Sequence, residues 1–231
     1  VQWVYHSPLG SGFAPGVVRF DSGFIYISWQ HIYVGAGPFP QIVTKLDAAT
    51  GAKVWEILTE QVPGNDRPQS ALSMTVENGF VYLTGYYDAA NYYPGKWNVI
   101  CLKASDGSLV FRKQVPPVKP LPDEKESGGL ASFVLNKRLV VLGNSENESG
   151  QTYSTWVEMN PATGAILKRT ILGANQGLYD AAVTDMVQLP SGRIVQLRQV
   201  GRKCQLVQSD ANGNIGWQKD LPLQDWGLRA E

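Results

Sequence analysis

A chain of 231 residues is long enough for one large all-β domain or two small ones, and for a substantial core. Twenty basic and twenty acidic residues cancel, which removes the basic excess that non-specific nucleic-acid binding draws on. No apolar run approaches the roughly 20 residues of a membrane span, and two histidines and two cysteines are too few for a His-based metal centre, a zinc cluster or a disulfide framework.

In chain order, Val1-Gln2-Trp3-Val4-Tyr5 reads as one outer strand, residues 1–6, with no secretory leader legible before it. Val17 to Phe20, the Asp21-Ser22-Gly23 turn and Phe24 to Ser28 open a first unit over 12–59, followed by a long connection from Trp29 to Pro40. The second unit, 70–115, shows the pattern most cleanly. Ala71 to Val76 alternates as a half-buried strand, Glu77-Asn78-Gly79 turns, Phe80 to Thr84 returns, and a loop follows from Gly85 to Lys96. Asn98 to Lys103, the Ser105-Asp106-Gly107 turn and Ser108 to Lys113 complete it. Pro116 to Ser127 reads as an extended, solvated connection. A third unit over 129–172 opens with Ser132 to Leu135, Asn136-Lys137 and Arg138 to Leu142. A fourth over 180–221 opens with Val183 to Leu189, Pro190-Ser191-Gly192 and Arg193 to Leu197. No helical stripe interrupts them.

The units share a phrase. Leu46-Asp47-Ala48-Ala49-Thr50-Gly51-Ala52-Lys53-Val54-Trp55 returns at Leu102 to Phe111, at Met159 to Lys168 and, shortened, at Ser209 to Trp217. Its glycines, Gly51, Gly107, Gly164 and Gly213, recur every 49 to 57 residues. Four-stranded units repeating at this period predict an all-β fold, a β-propeller of antiparallel blades, with about four blades and one extra N-terminal outer strand. Four residues after the glycine stand Trp55, Phe111 and Trp217, with Lys168 the exception and Trp3 an echo upstream. Flat rings there are expected to fill the gaps between blades. Asp47, Asp106 and Asp210 fall in or beside the same turns and are expected to hold backbone N–H groups. The spare strand leaves three explanations open: a portion of a larger ring (the expectation preferred), a shifted register in the last unit, or a ring completed by a partner chain. An open ring would expose blade faces and invite association.

In such meanders the tight turns gather on one face and the long connections on the other, so binding residues are expected on the long-loop face. The candidates are Trp29, His31, Tyr33 and Phe39 from the first unit and Tyr86, Tyr87, Tyr92 and Tyr93 from the second. Their rings suit a sugar or a protein surface, or else pack the loops onto the blades. Asp88, Glu146 and Glu148 also lie in long loops but lack the spacing of a cation site. Cys101 and Cys204 are expected as unpaired thiols.

The Asp/Asn-x-x-Thr-Gly turn followed by Trp, in Asp47 to Trp55 and in Asn160-Pro161-Ala162-Thr163-Gly164, resembles the repeat of the pyrroloquinoline-quinone-like (quinoprotein-like) β-propellers. That resemblance covers all four units. It implies a propeller in an extracytoplasmic setting, in a family that includes quinone-dependent dehydrogenases and non-catalytic scaffolds. The dehydrogenases hold a calcium-bound quinone on the ring axis with Glu, Asn and Asp ligands, often beside a vicinal cysteine pair that this chain lacks. From the sequence, no catalytic residue, metal or cofactor is assigned. The leading reading is a non-catalytic scaffold or binding module for a protein or extended ligand. The alternatives are a carbohydrate-binding or glycan-processing propeller and a quinone-dependent oxidoreductase.

Overall fold

The computed structural model describes residues 3–6, 13–31, 41–59, 69–87, 96–115, 124–147, 152–175, 183–189, 191–200, 203–210 and 214–221. These form sixteen strands and, among the described residues, no helix. The first blade comprises β1 (Phe13–Asp21), β2 (Phe24–His31), β3 (Ile42–Asp47) and β4 (Lys53–Leu58), and the second β5 (Gln69–Glu77), β6 (Phe80–Tyr87), β7 (Lys96–Lys103) and β8 (Leu109–Val115). The third comprises β9 (Glu124–Leu135), β10 (Arg138–Asn147), β11 (Thr152–Met159) and β12 (Ile166–Asn175), and the fourth β13 (Val183–Gln188), β14 (Ile194–Val200), β15 (Lys203–Ser209) and β16 (Ile215–Leu221). Every blade is an antiparallel meander in chain order. The first strands lie side by side, β1 against β5, β5 against β9 and β9 against β13, so they form the inner edge and the fourth strands the outer one. This is the propeller architecture that the repeat predicts.

Several strands run further than the alternation of apolar residues indicates. Trp29 and His31 belong to β2, and Tyr86 and Tyr87 to β6, rather than to loops. β9 begins at Glu124, inside the stretch read as a solvated connection, and β10 continues to Asn147. Pairing continues because each added residue satisfies backbone N–H and C=O groups on its neighbour, whatever its side chain. Bulges at Ala71/Ser73 and Leu142/Gly143 absorb the offset between apolar pattern and ladder.

The tight turns follow their local chemistry. Asn78-Gly79 and Ser22-Gly23 both adopt positive φ, the two-residue geometry that matches the twist of a hairpin. The third blade places Asn136 and Lys137 in that same geometry, with Lys137 at φ 61°. A lysine gains nothing there that glycine would not supply more cheaply.

One device is used three times, twice to join adjacent blades and once to hold residues 3–6 on the first. The ring of Trp3 lies on Gly51, that of Trp55 on Gly107 and that of Phe111 on Gly164. A Cβ on Gly51 would fall 2.6 Å from Trp3 Cδ2, and one on Gly164 2.6 Å from Phe111 Cδ2. All three glycines have positive φ, so the residue type is required twice, by the backbone and by the ring above it. The indoles add a directional contact: Trp3 Nε1 donates to the Ala48 carbonyl (3.1 Å) and Trp55 Nε1 to the Ala104 carbonyl (3.2 Å), in each case three residues before the glycine. Phe111 has no N–H to give. The corresponding Pro161 carbonyl instead accepts Tyr82 OH at 3.3 Å.

A second position beside the wedge varies its chemistry. Lys45, Cys101, Glu158 and Gln208 are the cross-strand partners of Trp55, Phe111, Lys168 and Trp217. Lys45 Nζ donates to the Ala104 carbonyl at 2.7 Å and sits 3.9 Å from the Phe24 ring centroid, a cation–π contact. In the third blade the first residue of the second strand supplies the cation instead, and in the fourth the residue just before that strand does. Arg138 pairs with Glu158, and Arg193 Nη1 donates to Gln208 Oε1 at 2.8 Å. Cys101 is buried and Cys204 half-buried, and both are free thiols.

Candidate functional site

The tight turns are stitched together. Ala48 N donates to the Gly23 carbonyl and Ala104 N to the Gly79 carbonyl, at 2.9 and 2.8 Å, so the first and third turns of a blade share one end. By the alternation of an antiparallel meander, the ends of β2, β6, β10 and β14 and the starts of β1, β5, β9 and β13 share the other. That end, where the long connections emerge, is the candidate binding face.

The turn face is occupied with its own backbone. Asp47 Oδ1 accepts from Thr50 N (2.8 Å), Thr50 Oγ1 (2.8 Å) and Ala49 N (3.1 Å). The Thr50 hydroxyl and then its N–H hold the Asp47 carboxyl below its ordinary range. Asp106 is lowered in the same way by Ser108, whose N–H lies 2.8 Å away. Asp210 Oδ1 accepts from Asn214 N at 2.9 Å. These carboxylates hold the backbone of their turns, the role their place in the repeat predicts.

The sequence candidates divide into three groups. Trp29 is only 6% exposed, and its Nε1 donates to Thr44 Oγ1 at 2.8 Å. Its ring stands 6.3 Å from that of Tyr5. It packs inside the first blade and offers little surface to a ligand. Tyr86, Tyr87 and His31 are strand-end residues at the loop face. Tyr86 pairs with Ser70 on one side and Trp97 on the other, Tyr87 with Gln69 and Lys96, and His31 with Phe13. Tyr33, Phe39, Tyr92 and Tyr93 lie outside the described residues, as does Gly213 of the structural repeat. The backbone thus places Tyr86 and Trp97 side by side at the mouth of the second blade, with Tyr87 and Lys96 one step further out. Trp97 was not among the candidates read from the sequence, because a lone Trp before a strand carries no signal until the register sets it opposite a tyrosine.

A polar chain on the first blade was not legible either. Trp29 Nε1 donates to Thr44 Oγ1, which donates to Glu56 Oε2 at 2.9 Å. Tyr5 OH reaches the same oxygen at 3.2 Å, and Lys53 Nζ holds Oε1 at 3.0 Å. Burial alone would raise the Glu56 carboxyl, but the hydrogen bonds from Lys53 and Thr44 outweigh it and lower it. Tyr5 is raised, first by burial and then by the Glu56 charge beside it. These contacts fasten residues 3–6 to the first blade.

Calcium and quinone binding, implied by the resemblance, needs converging Glu, Asn and Asp donors. Among the described residues no three His, Cys, Asp or Glu side chains gather as a metal site. Cys101 and Cys204 are not neighbours, and burial pushes the Cys101 thiol up to about 12, away from the reactive thiolate. The described residues do not fit the group, and no redox step is derived through it.

No family model matches the chain, and no curated protein matches it in sequence. Solved structures do match in shape. A protein of unknown function from Dyadobacter fermentans aligns with TM-score 0.61 at 11% identity, over 94% of this chain and 66% of that one. An α-L-arabinofuranosidase from Fusarium graminearum aligns at 0.59 and 10% identity, over 86% and 63%. A europium-containing methanol dehydrogenase aligns at 0.55 and 11% identity, over 90% and 43%. The chain therefore spans less than two thirds of each neighbour named here. A dehydrogenase and a glycosidase stand together in this set, so what the chain shares with them is the propeller fold.

Proposed function

We propose that this chain is a binding module in which the propeller is a rigid, non-catalytic scaffold and the long-loop face recognises a protein or another extended ligand. One observation supports the reading above the others. Both sets of tight turns are consumed at one end by backbone hydrogen bonds, while the opposite end carries Tyr86, Tyr87 and Trp97 on strand ends and, in sequence, the Tyr92 and Tyr93 connection. Aromatic rings on a fixed scaffold give contact area at little conformational cost. The cross-strand pair Tyr86–Trp97, flanked by Lys96, also favours a second reading within the same face, a carbohydrate ligand stacked on rings. The extracytoplasmic setting implied by the quinoprotein-like resemblance belongs to the same proposal. Among the described residues no helix is long and apolar enough to cross a membrane.

The test is a crosslinking pull-down and a glycan array run in parallel on the wild-type chain and a Tyr86→Ser/Tyr87→Ser variant, with Glu77→Ser as a control on the turn face. Binding that is lost in the loop-face variant and kept in the control supports the proposal. Binding insensitive to the loop-face change, or a measured turnover on alcohols or glycosides, overturns it.

A further inference from the structure

One buried position on the second strands changes its chemistry from blade to blade. Ser28, Thr84 and Leu142 stand opposite Val43, Val99 and Trp156, in each case three residues before the leucine or methionine that opens the repeated phrase. All three are buried. Ser28 Oγ accepts from Gln41 Nε2 at 3.2 Å, and Leu142 needs no partner. Thr84 keeps a hydroxyl at 1% exposure, yet among the described residues its Oγ1 makes no hydrogen bond. A buried hydroxyl left this way is costly and calls for a partner from outside the fold. Where the first blade has Gln41 to serve that position, the second has Trp97.

Register fixes which rows flank the hydroxyl. Val99, opposite Thr84, joins the core shared with Val134, Val141 and Val157, so Thr84 lies on the face that meets the third blade. One alternation outward on that face is the row Ser70–Tyr86–Trp97–Val115, and Val115 belongs to the same core. Across the seam, Ser132 N donates to Ser73 Oγ at 3.2 Å and the Ser132 carbonyl accepts Thr75 Oγ1 at 2.6 Å, which sets the two blades level there. Outward from the Ser132–Val141–Val157 row come Gly143 and Thr155, then Ser145 and Tyr153. The seam thus brings together an aromatic pair on one blade, a glycine and hydroxyl-bearing residues on the other, and an unserved hydroxyl beneath them. None of these residues is a lysine, arginine, aspartate or glutamate.

We infer that the seam between the second and third blades, at its loop end, is a subsite for one unit of a neutral sugar chain. The inference rests on the reading of the loop face as the binding surface and gives it a ligand class. A sugar ring offers an apolar face to Tyr86 and Trp97, and hydroxyls that donate and accept at once, which is what Thr84 Oγ1 lacks. A charged ligand finds no counter-ion in these rows. An acidic sugar is further opposed by Glu126 and Glu146, which face each other where β9 and β10 run on past Ser127 and Ser145.

The experiment is isothermal titration calorimetry of the 231-residue chain with cello-, xylo-, malto- and mannotetraose and with tetragalacturonate, circular dichroism confirming that each variant folds. At least one neutral sugar is expected to bind, and tetragalacturonate is not. Thr84→Val keeps the shape and removes the hydroxyl. It should weaken the sugar by roughly tenfold while raising the urea midpoint. Trp97→Gln, which copies Gln41, should abolish binding, and Ser28→Ala should leave it unchanged. The inference is overturned if no neutral sugar binds, if tetragalacturonate binds equally, or if Thr84→Val raises the midpoint without changing affinity, the mark of a hydroxyl served by water alone. Capture of a protein through Tyr86 and Tyr87 that is indifferent to Thr84→Val overturns it and leaves the loop-face reading standing. A chain that binds neither sugar nor protein overturns both.

Discussion

The junction between the first and second blades and the end of the fourth blade use the same strand position to opposite effect. At the junction Trp55, Tyr26 and Val43 merge with Met74, Val81, Leu83, Ile100 and Leu102 into one apolar core that crosses the blade boundary. Between the second and third blades Phe111, Val99 and Val115 do the same with Val134, Leu139 and Val157. The core that Phe133 and Trp156 build in the third blade receives only Ile194 from the fourth among the described residues. Gln196 is buried where the other blades carry Ile27, Leu83 and Val141, and Gln205 and Gln208 are buried in the fourth blade as well. A propeller blade is therefore not stable or unstable by itself. Its stability is largely set by what its outer face covers, and the fourth blade covers the least.

The largest test of that contrast is a pair of truncations. Trp55→Ala removes a buried ring and a hydrogen bond and should cost about 3–5 kcal/mol in urea unfolding. Trp217→Ala, at a ring 41% exposed, should cost less than about 0.5 kcal/mol, as surface changes do. Equal losses would show that exposure on the fourth blade is not a measure of unused packing.

A smaller effect separates two glycines of the same blade. Gly107 and Gly79 both have positive φ, but a Cβ on Gly107 would fall 2.9 Å from Ile57 Cγ2 and 3.1 Å from the Trp55 ring, whereas nothing lies within 4 Å of one on Gly79. Gly79→Ala should cost about 1 kcal/mol for its backbone alone, and Gly107→Ala roughly twice that or more. Similar midpoints for the two would remove the wedge from the account.

The same position on adjacent blades should titrate in opposite senses. Burial raises the Cys101 thiol to about 12, above its ordinary 9.0, so the stability it contributes is complete below pH 9 and is lost as pH rises from there towards 12. Burial lowers the Lys45 ammonium, so between its lowered folded value and the ordinary 10.5 the unfolded chain binds more protons and the stability contribution rises with pH. Cys101→Ala should flatten the alkaline loss and Lys45→Met should steepen it, read as urea midpoints from pH 8 to 11. The smallest change is Lys137→Gly. Relief of the positive φ should raise stability by about 0.5–1 kcal/mol.

The period of the glycines and the Asn-Gly turn made the four blades legible, because a turn's backbone demand is local and leaves its mark on residue type. The long-loop candidates were less legible, and for a physical reason. Trp29 reads as a loop aromatic only until the ladder extends past it and Thr44 takes its N–H. Tyr86 gains a neighbour in Trp97 through a register that no run of residues encodes. Glu56 looks like any charged residue on an outer strand, and its role depends on Tyr5, which lies far away in sequence and arrives through packing.

The wedge has a consequence for how such a chain changes over time. Trp3 and Trp55 meet the following blade through a glycine and a carbonyl, so the joint reads backbone geometry and almost no side-chain identity. A blade can then be copied, inserted or exchanged without a matching substitution in its neighbour, provided the turn keeps its shape. That tolerance is how one small connector survives while Lys, Cys, Glu and Gln succeed one another beside it.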